Sequence, residues 1–148
     1  IHPYLYDSLI TFKKFIGTDD KTAYKLAEKH FLDVGLIPEN GGTAEETEFA
    51  KLLCTSYYGW NILWCKEVDK MCKKKGLNFK NVYEKLNYDY NQGYMKLGFS
   101  QYVRPILKPI KGKFGGPWVG PHLDISKSMN VSKYIDFMIE EDNKCNNE

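Results

Sequence analysis

The stretch TAEETEFAKLLCTSYYGWNILWCKEVDKMCKKKG, residues 43–76, decides the fold. Thr43 followed three residues later by Glu46 is a capping box, in which each side chain satisfies a backbone N–H that the first helical turn leaves open. No proline follows, no glycine comes before Gly59, and Thr47, Ala50, Cys54, Tyr57/Tyr58, Asn61, Cys65, Val68 and Cys72 recur at helical spacing. KKKG at 73–76 ends the run with cations at the negative end of the helix dipole and a glycine just past it. A helix of about 30 residues is predicted over 43–75, roughly 45–50 Å long. The mean helix has about 12 residues, so this one must lie against several elements or a second subunit. Leu52, Leu53, Trp60, Ile62, Leu63 and Trp64 fall off the stripe, which implies burial on more than one side.

Upstream, SLITFKKFI (8–16) reads as a strand ending at Gly17. Thr18 is the expected N-cap of a helix whose first turn holds Asp19 and Asp20 and whose apolar face is Tyr24, Leu26, Ala27, Phe31 and Leu32. Gly35 closes it, and LIPENGG (36–42) makes a short extended piece and a turn. This strand–helix–strand unit needs a sheet neighbour to be stable. Downstream, Asn78 caps a helix over about 79–96, with Val82, Leu86, Tyr90 and Tyr94 along one side and Gly98 at its end. The proline- and glycine-rich residues 99–126 read as an ordered loop, and a loop that long is usually functional. A last helix is expected over about 129–141, before a polar tail, DNKCNNE, that should fray.

Composition bounds what such a chain can do. Its 148 residues hold little more than one domain, too few for a complete two-domain oxidoreductase or a TIM barrel. An apolar share of 43% with 27% charge and 15% aromatics excludes disorder. The net charge of +2 supplies no strong field for nucleic acid, and KKK at 73–75 with the scattered loop lysines does not change that. No apolar run approaches the ~20 residues a membrane helix needs. No secretion signal opens the chain, and the start at Ile1 leads us to expect a piece of a longer protein. Cys54, Cys65, Cys72 and Cys145 form no CxxC pair, and His2, His30 and His122 share no ligand spacing, so no metal site is expected. The first three cysteines return to one helix face and read as small core residues, which fits a reducing, cytoplasmic setting. Arg104 is the sole arginine among 21 basic residues; where a planar fork is required lysine cannot replace it, which hints at anion recognition.

The remaining candidate is KPIKGKFGGPWVGPHLD, residues 108–124. Adjacent glycines after a basic stretch let backbone N–H groups approach a phosphate, with Lys108, Lys111 and Lys113 supplying charge. A structural turn explains the segment equally well, and neither GxGxxG nor GxxxxGK[ST] occurs.

Three segments in order, HPYLYDSLITFKKFIG (2–17), AEETEFAKLLCTSYYGWNILWCKEVDKMCKKKGLNF (44–79) and NYDYNQGYMKLGFSQYVRPILKPIKGKFGGPWVGPHL (87–123), resemble the nucleotide-sugar 6-dehydrogenases, the UDP-glucose/GDP-mannose dehydrogenase family. The resemblance spans nearly residues 2–125 and is most specific in AEETEFAKLL…YYGWN…KE and VRP…GKFGG. It implies a mainly α fold: residues 1–42 as the C-terminal remnant of a Rossmann dinucleotide-binding domain, and 43–148 as a helical central domain of the 6-phosphogluconate-dehydrogenase C-terminal-like type. That domain would form a homodimer through the long helix 43–75. Family members oxidise a sugar C6 alcohol twice with NAD, through a cysteine thioester. Lys51 matches the family's helix lysine, and Thr55 stands where many members have asparagine. Pro117 and Trp118 occupy the places of the residue before the cysteine and of the cysteine itself, and His122 stands where many have aspartate. Indole cannot form a thioester, so the second oxidation is not expected. Arg104 matches an arginine that reaches substrate across the dimer interface, and Phe114, Gly115 and Gly116 match the segment contacting the UDP- or GDP-sugar. No cofactor is expected to bind this chain alone. A non-catalytic helical dimer scaffold, acting through Tyr57, Tyr58, Trp60 and Trp64, remains the alternative.

Overall fold

A computed structural model describes residues 4–113, 119–129 and 132–144. The chain is mainly helical and divides into two compact units, Ile1–Leu53 and Cys54–Glu148. Among the described residues, no helix is long and apolar enough to cross a membrane.

The first unit begins with α1 (Leu5–Thr11), followed by β1 (Lys14–Ile16), α2 (Lys21–Asp33) and β2 (Pro38–Asn40). β1 and β2 pair in parallel, with Lys14 opposite Pro38 and Ile16 opposite Asn40. A parallel pair needs a crossover, and α2 supplies it. The strand expected over 8–16 is confined to its last three residues. β2 offers a ladder only three residues long, so the segment before it closes its own hydrogen bonds as α1. Asp20, not Thr18, caps α2: its carboxylate accepts the N–H groups of Thr22 (2.7 Å) and Ala23 (3.2 Å), an anion at the positive end of the helix dipole. Thr18 Oγ1 instead accepts the Asp20 N–H at 3.1 Å. Gly35 (φ +77°) ends α2 as expected, and Leu36 N–H returns to the Phe31 carbonyl at 2.9 Å.

α3 (Ala44–Lys75, 32 residues) opens on the predicted capping box. Glu46 N–H donates to Thr43 Oγ1 (3.1 Å), and Thr43 N–H donates to Glu46 Oε2 (2.7 Å). Its N-terminus lies so close to the end of β1 that a Cβ on Gly17 would stand 2.1 Å from Thr47 Oγ1 and 2.4 Å from the Thr43 carbonyl oxygen. Only glycine fits there.

The second unit takes the rest of α3, a π-helical turn (Lys80–Lys85), α4 (Leu86–Lys96), a 3₁₀ turn (Ser100–Tyr102), α5 (Val119–Ser128) and α6 (Lys133–Lys144). Two apolar clusters hold it together. Ile62 and Leu63 of α3 pack with Val119 and Leu123 of α5 and Ile135 and Met138 of α6. Cys65, Val68 and Cys72 pack with Tyr83, and Leu107 touches both clusters. The loop expected to run to residue 126 gives way to α5 at Val119, because Gly120 and Pro121 fall in a first turn where a missing N–H costs nothing. The last helix starts later than expected, where Ser132 Oγ accepts the Tyr134 N–H at 3.2 Å.

The buried line on α3 also differs from the predicted stripe. Cys65, Val68 and Cys72 are buried as expected, but Cys54, Tyr57 and Tyr58 are exposed and Leu52, Ser56, Gly59 and Leu63 lie inside. Gly59 explains the turn of the face: α5 comes so near that an added Cβ would meet Val119 Cγ1 at 3.1 Å.

Candidate functional site

Two side chains far apart in sequence meet in the second unit. Thr55 on α3 and His122 on α5 are both half-buried, with Oγ1 and Nδ1 2.9 Å apart. With the proton on Nε2, the threonine hydroxyl donates to Nδ1; with it on Nδ1, the ring donates. Ser126 Oγ donates to the His122 carbonyl at 2.8 Å, one turn along α5. The pair can therefore hold a hydroxyl-bearing ligand by one donor and one acceptor. Lys51 stands four residues before Thr55, exposed on α3 in the first unit.

Arg104 sits on a second constellation, built from α4. Its Cζ lies 3.6 Å from the centroid of the Tyr90 ring, and Nη1 is 3.4 Å from Asn87 Oδ1. The Arg104 backbone is fixed from both sides by one residue: its N–H donates to Asn91 Oδ1 (2.9 Å), and its carbonyl accepts Asn91 Nδ2 (2.8 Å). Asn87 and Asn91 are buried, one helical turn apart, and Asn87 Nδ2 is satisfied by the Tyr83 carbonyl at 2.8 Å. Tyr90, Tyr94 and Tyr102 continue as a ladder of ring contacts at 4.7 and 5.1 Å, and the Tyr94 hydroxyl is raised above its ordinary pKa chiefly by its hydrogen bond to Tyr90. A guanidinium stacks flat on a ring as an ammonium does not, which accounts for the one arginine among so many lysines. Arg104 itself remains exposed, so the group is presented to solvent on a fixed base.

Phe114, Gly115, Gly116, Pro117 and Trp118 lie outside the described residues, as do His2 and Cys145. The segment before them, 103–110, is tied down by side chains: Tyr83 Oη donates to the Pro105 carbonyl (3.3 Å) and Cys65 Sγ to the Leu107 carbonyl (3.4 Å). Burial pushes the Cys65 thiol up to about 11, so it offers no thiolate nucleophile at neutral pH. Cys72 is buried as well, whereas Cys54 is exposed and is not the core residue its spacing predicted. Among the described residues, no group of three His, Cys, Asp or Glu could hold a metal ion.

Sequence reasoning passed over Asn87, Asn91 and Lys66. The asparagines carried a usable signal, since two of them four apart inside a helix must either face water or bond a passing backbone. Lys66 carried none, because a lysine on a long helix reads as solvated. No family model matches this chain, and no curated protein or solved structure matches it.

Proposed function

We propose that this chain is a degenerate nucleotide-sugar 6-dehydrogenase-type protein that dimerises through α3 and holds a UDP- or GDP-sugar without completing its oxidation. The observation that supports this reading is the Thr55–His122 contact at 2.9 Å. These are the positions the resemblance assigns to the oxyanion-stabilising asparagine and to the carboxylate beyond the nucleophile, and their side chains meet. A threonine hydroxyl and an imidazole in those places keep hydrogen-bonding capacity toward a sugar hydroxyl and lose the fixed negative charge. Trp118, at the nucleophile's place, cannot form the thioester on which the second oxidation depends. The parallel β1–α2–β2 unit is likewise what the end of a dinucleotide fold requires.

Thermal unfolding with UDP- and GDP-sugars tests binding. A ligand at a hundredfold excess over its Kd raises Tm by about 5–10 °C for a chain of this size, and His122→Ala removes the rise. No shift at millimolar sugar nucleotide refutes the ligand. The scaffold reading then takes its place, because Tyr57, Tyr58 and Trp64 are more than half exposed on α3. Light scattering checks the shared element of both readings: a clean monomer refutes the dimer.

A further inference from the structure

Lys66 is an anomaly in a chain whose other lysines are at least partly exposed wherever they are described. It is only 4% exposed, and its ammonium donates to the carbonyl of Gly112. A neutral carbonyl satisfies one of three N–H donors and none of the charge, and among the described residues no ion pair includes Lys66. Burying an ammonium on those terms costs desolvation that an amide side chain holding the same carbonyl would avoid. The charge therefore calls for something else.

The surroundings indicate what. Lys66, Lys70 and Lys73 are spaced four and three residues apart, so they share one face of α3. That face and residues Pro109–Gly112 line a cleft of about 300 Å³, to which Lys111 adds a fourth lysine. Asp69 is the one carboxylate lining it, and it is engaged by Lys73 at 2.6 Å; Lys70 reaches Glu67 at 3.2 Å. With Lys73 and Lys70 engaged in those pairs, Lys66 and Lys111 leave the cleft net positive, and its walls lower the local dielectric. Lysines supplied by two elements act as separate point charges, which suits a tetrahedral anion of several oxygens better than a planar carboxylate. The volume lies at the lower end of small-molecule sites, a size for one or two phosphates.

We infer that the cleft between α3 and residues 109–112 binds a phosphate or diphosphate group, with Lys66 at its floor and Lys111 at its rim. The site is separate from Thr55 and His122 and does not depend on the sugar-nucleotide reading. Titration calorimetry in low salt with pyrophosphate, inorganic phosphate and ADP tests it. Pyrophosphate should bind at one site per chain and more tightly than inorganic phosphate, and ADP distinguishes a diphosphate carried on a nucleoside from a free anion. Lys111→Gln, at an exposed position, should weaken pyrophosphate about tenfold or more, and Lys66→Met should abolish binding if it folds. His122→Ala and Arg104→Ala should leave pyrophosphate binding unchanged, which separates this site from the proposed sugar site. Absence of heat at millimolar pyrophosphate overturns the inference. So does a Lys111→Gln variant that binds like the parent.

Discussion

The two compact units of this chain are stabilised by different means. In Ile1–Leu53, Ile16 and Leu52 are the buried apolar residues among those described, and neither α1 nor α2 buries a single side chain. Its order rests on backbone geometry: a three-residue parallel ladder, a carboxylate cap, a capping box and a glycine that lets α3 approach β1. In Cys54–Glu148, three helices interlock through one apolar cluster, a second ties α3 to the π turn, and polar side chains strap an extended segment across them. Hydrogen bonds contribute modestly net, whereas burial contributes per unit of area, so the second unit holds most of the stability. A two-stranded sheet with one crossover helix cannot cover both its faces, and Phe15, Leu26 and Leu32 are left well exposed.

The largest test of this contrast is a pair of leucines. Leu123 is 1% exposed at the centre of the second unit, and Leu123→Ala should cost about 2–5 kcal/mol in urea unfolding. Leu26→Ala, on α2, should change stability by no more than about 0.5 kcal/mol; an equal loss from both would abolish the distinction between the units. Gly17→Ala comes next. The added methyl must push Thr47 or the Thr43 carbonyl aside, at a cost of about 1–3 kcal/mol. Hydrogen exchange should then speed up in residues 14–50 and stay unchanged in α5 and α6. Asp20→Ala removes the acceptor of two N–H groups and should cost about 1 kcal/mol, confined to α2.

The smallest effect at neutral pH is the thiol chemistry along α3. Ellman's reagent at pH 8 should label Cys54 rapidly, and Cys65 and Cys72 only after unfolding. The Cys65 thiol is raised from 9.0 to about 11 by burial, so the native state holds this proton more tightly than the unfolded chain does. Its contribution is complete below pH 9 and is lost as pH rises towards 11, and the raised Tyr83 hydroxyl acts in the same direction. Stability that stays flat across pH 9–11 would contradict the buried placement of Cys65.

What could be read in advance followed the range of the forces involved. The capping box, the length of α3 and the stops at Gly35 and Gly76 are local chemistry, and residues 43–76 carry them openly. The direction in which α3 turns its buried face is not local. It depends on where α5 lies, and Gly59 is where the two come close, so a stripe counted through Cys54 and Tyr57 points the wrong way. The junction of Thr55 with His122 was legible only as two positions in a resemblance, because nothing in their spacing brings α3 and α5 together. The cradle under Arg104 was half legible. A lone arginine marks a need for a planar cation, but its ring and amide partners become apparent only once α4 is placed beside residues 103–105.

The π turn at Lys80–Lys85 has a consequence for how this chain can change length. A π turn closes its hydrogen bonds from i to i+5 where an α turn closes them from i to i+4, so it carries one residue more than an α turn. Tyr83 is its buried residue, while Asn81, Val82 and Lys85 are exposed. Deleting one of those exposed residues would let the turn tighten into ordinary α-helix and leave Asn87 and Asn91 still facing residue 104. The same deletion inside α3 would rotate everything beyond it by about 100° and misplace its whole apolar face. Single-residue length variation is thus tolerable at the start of α4 and ruinous in α3.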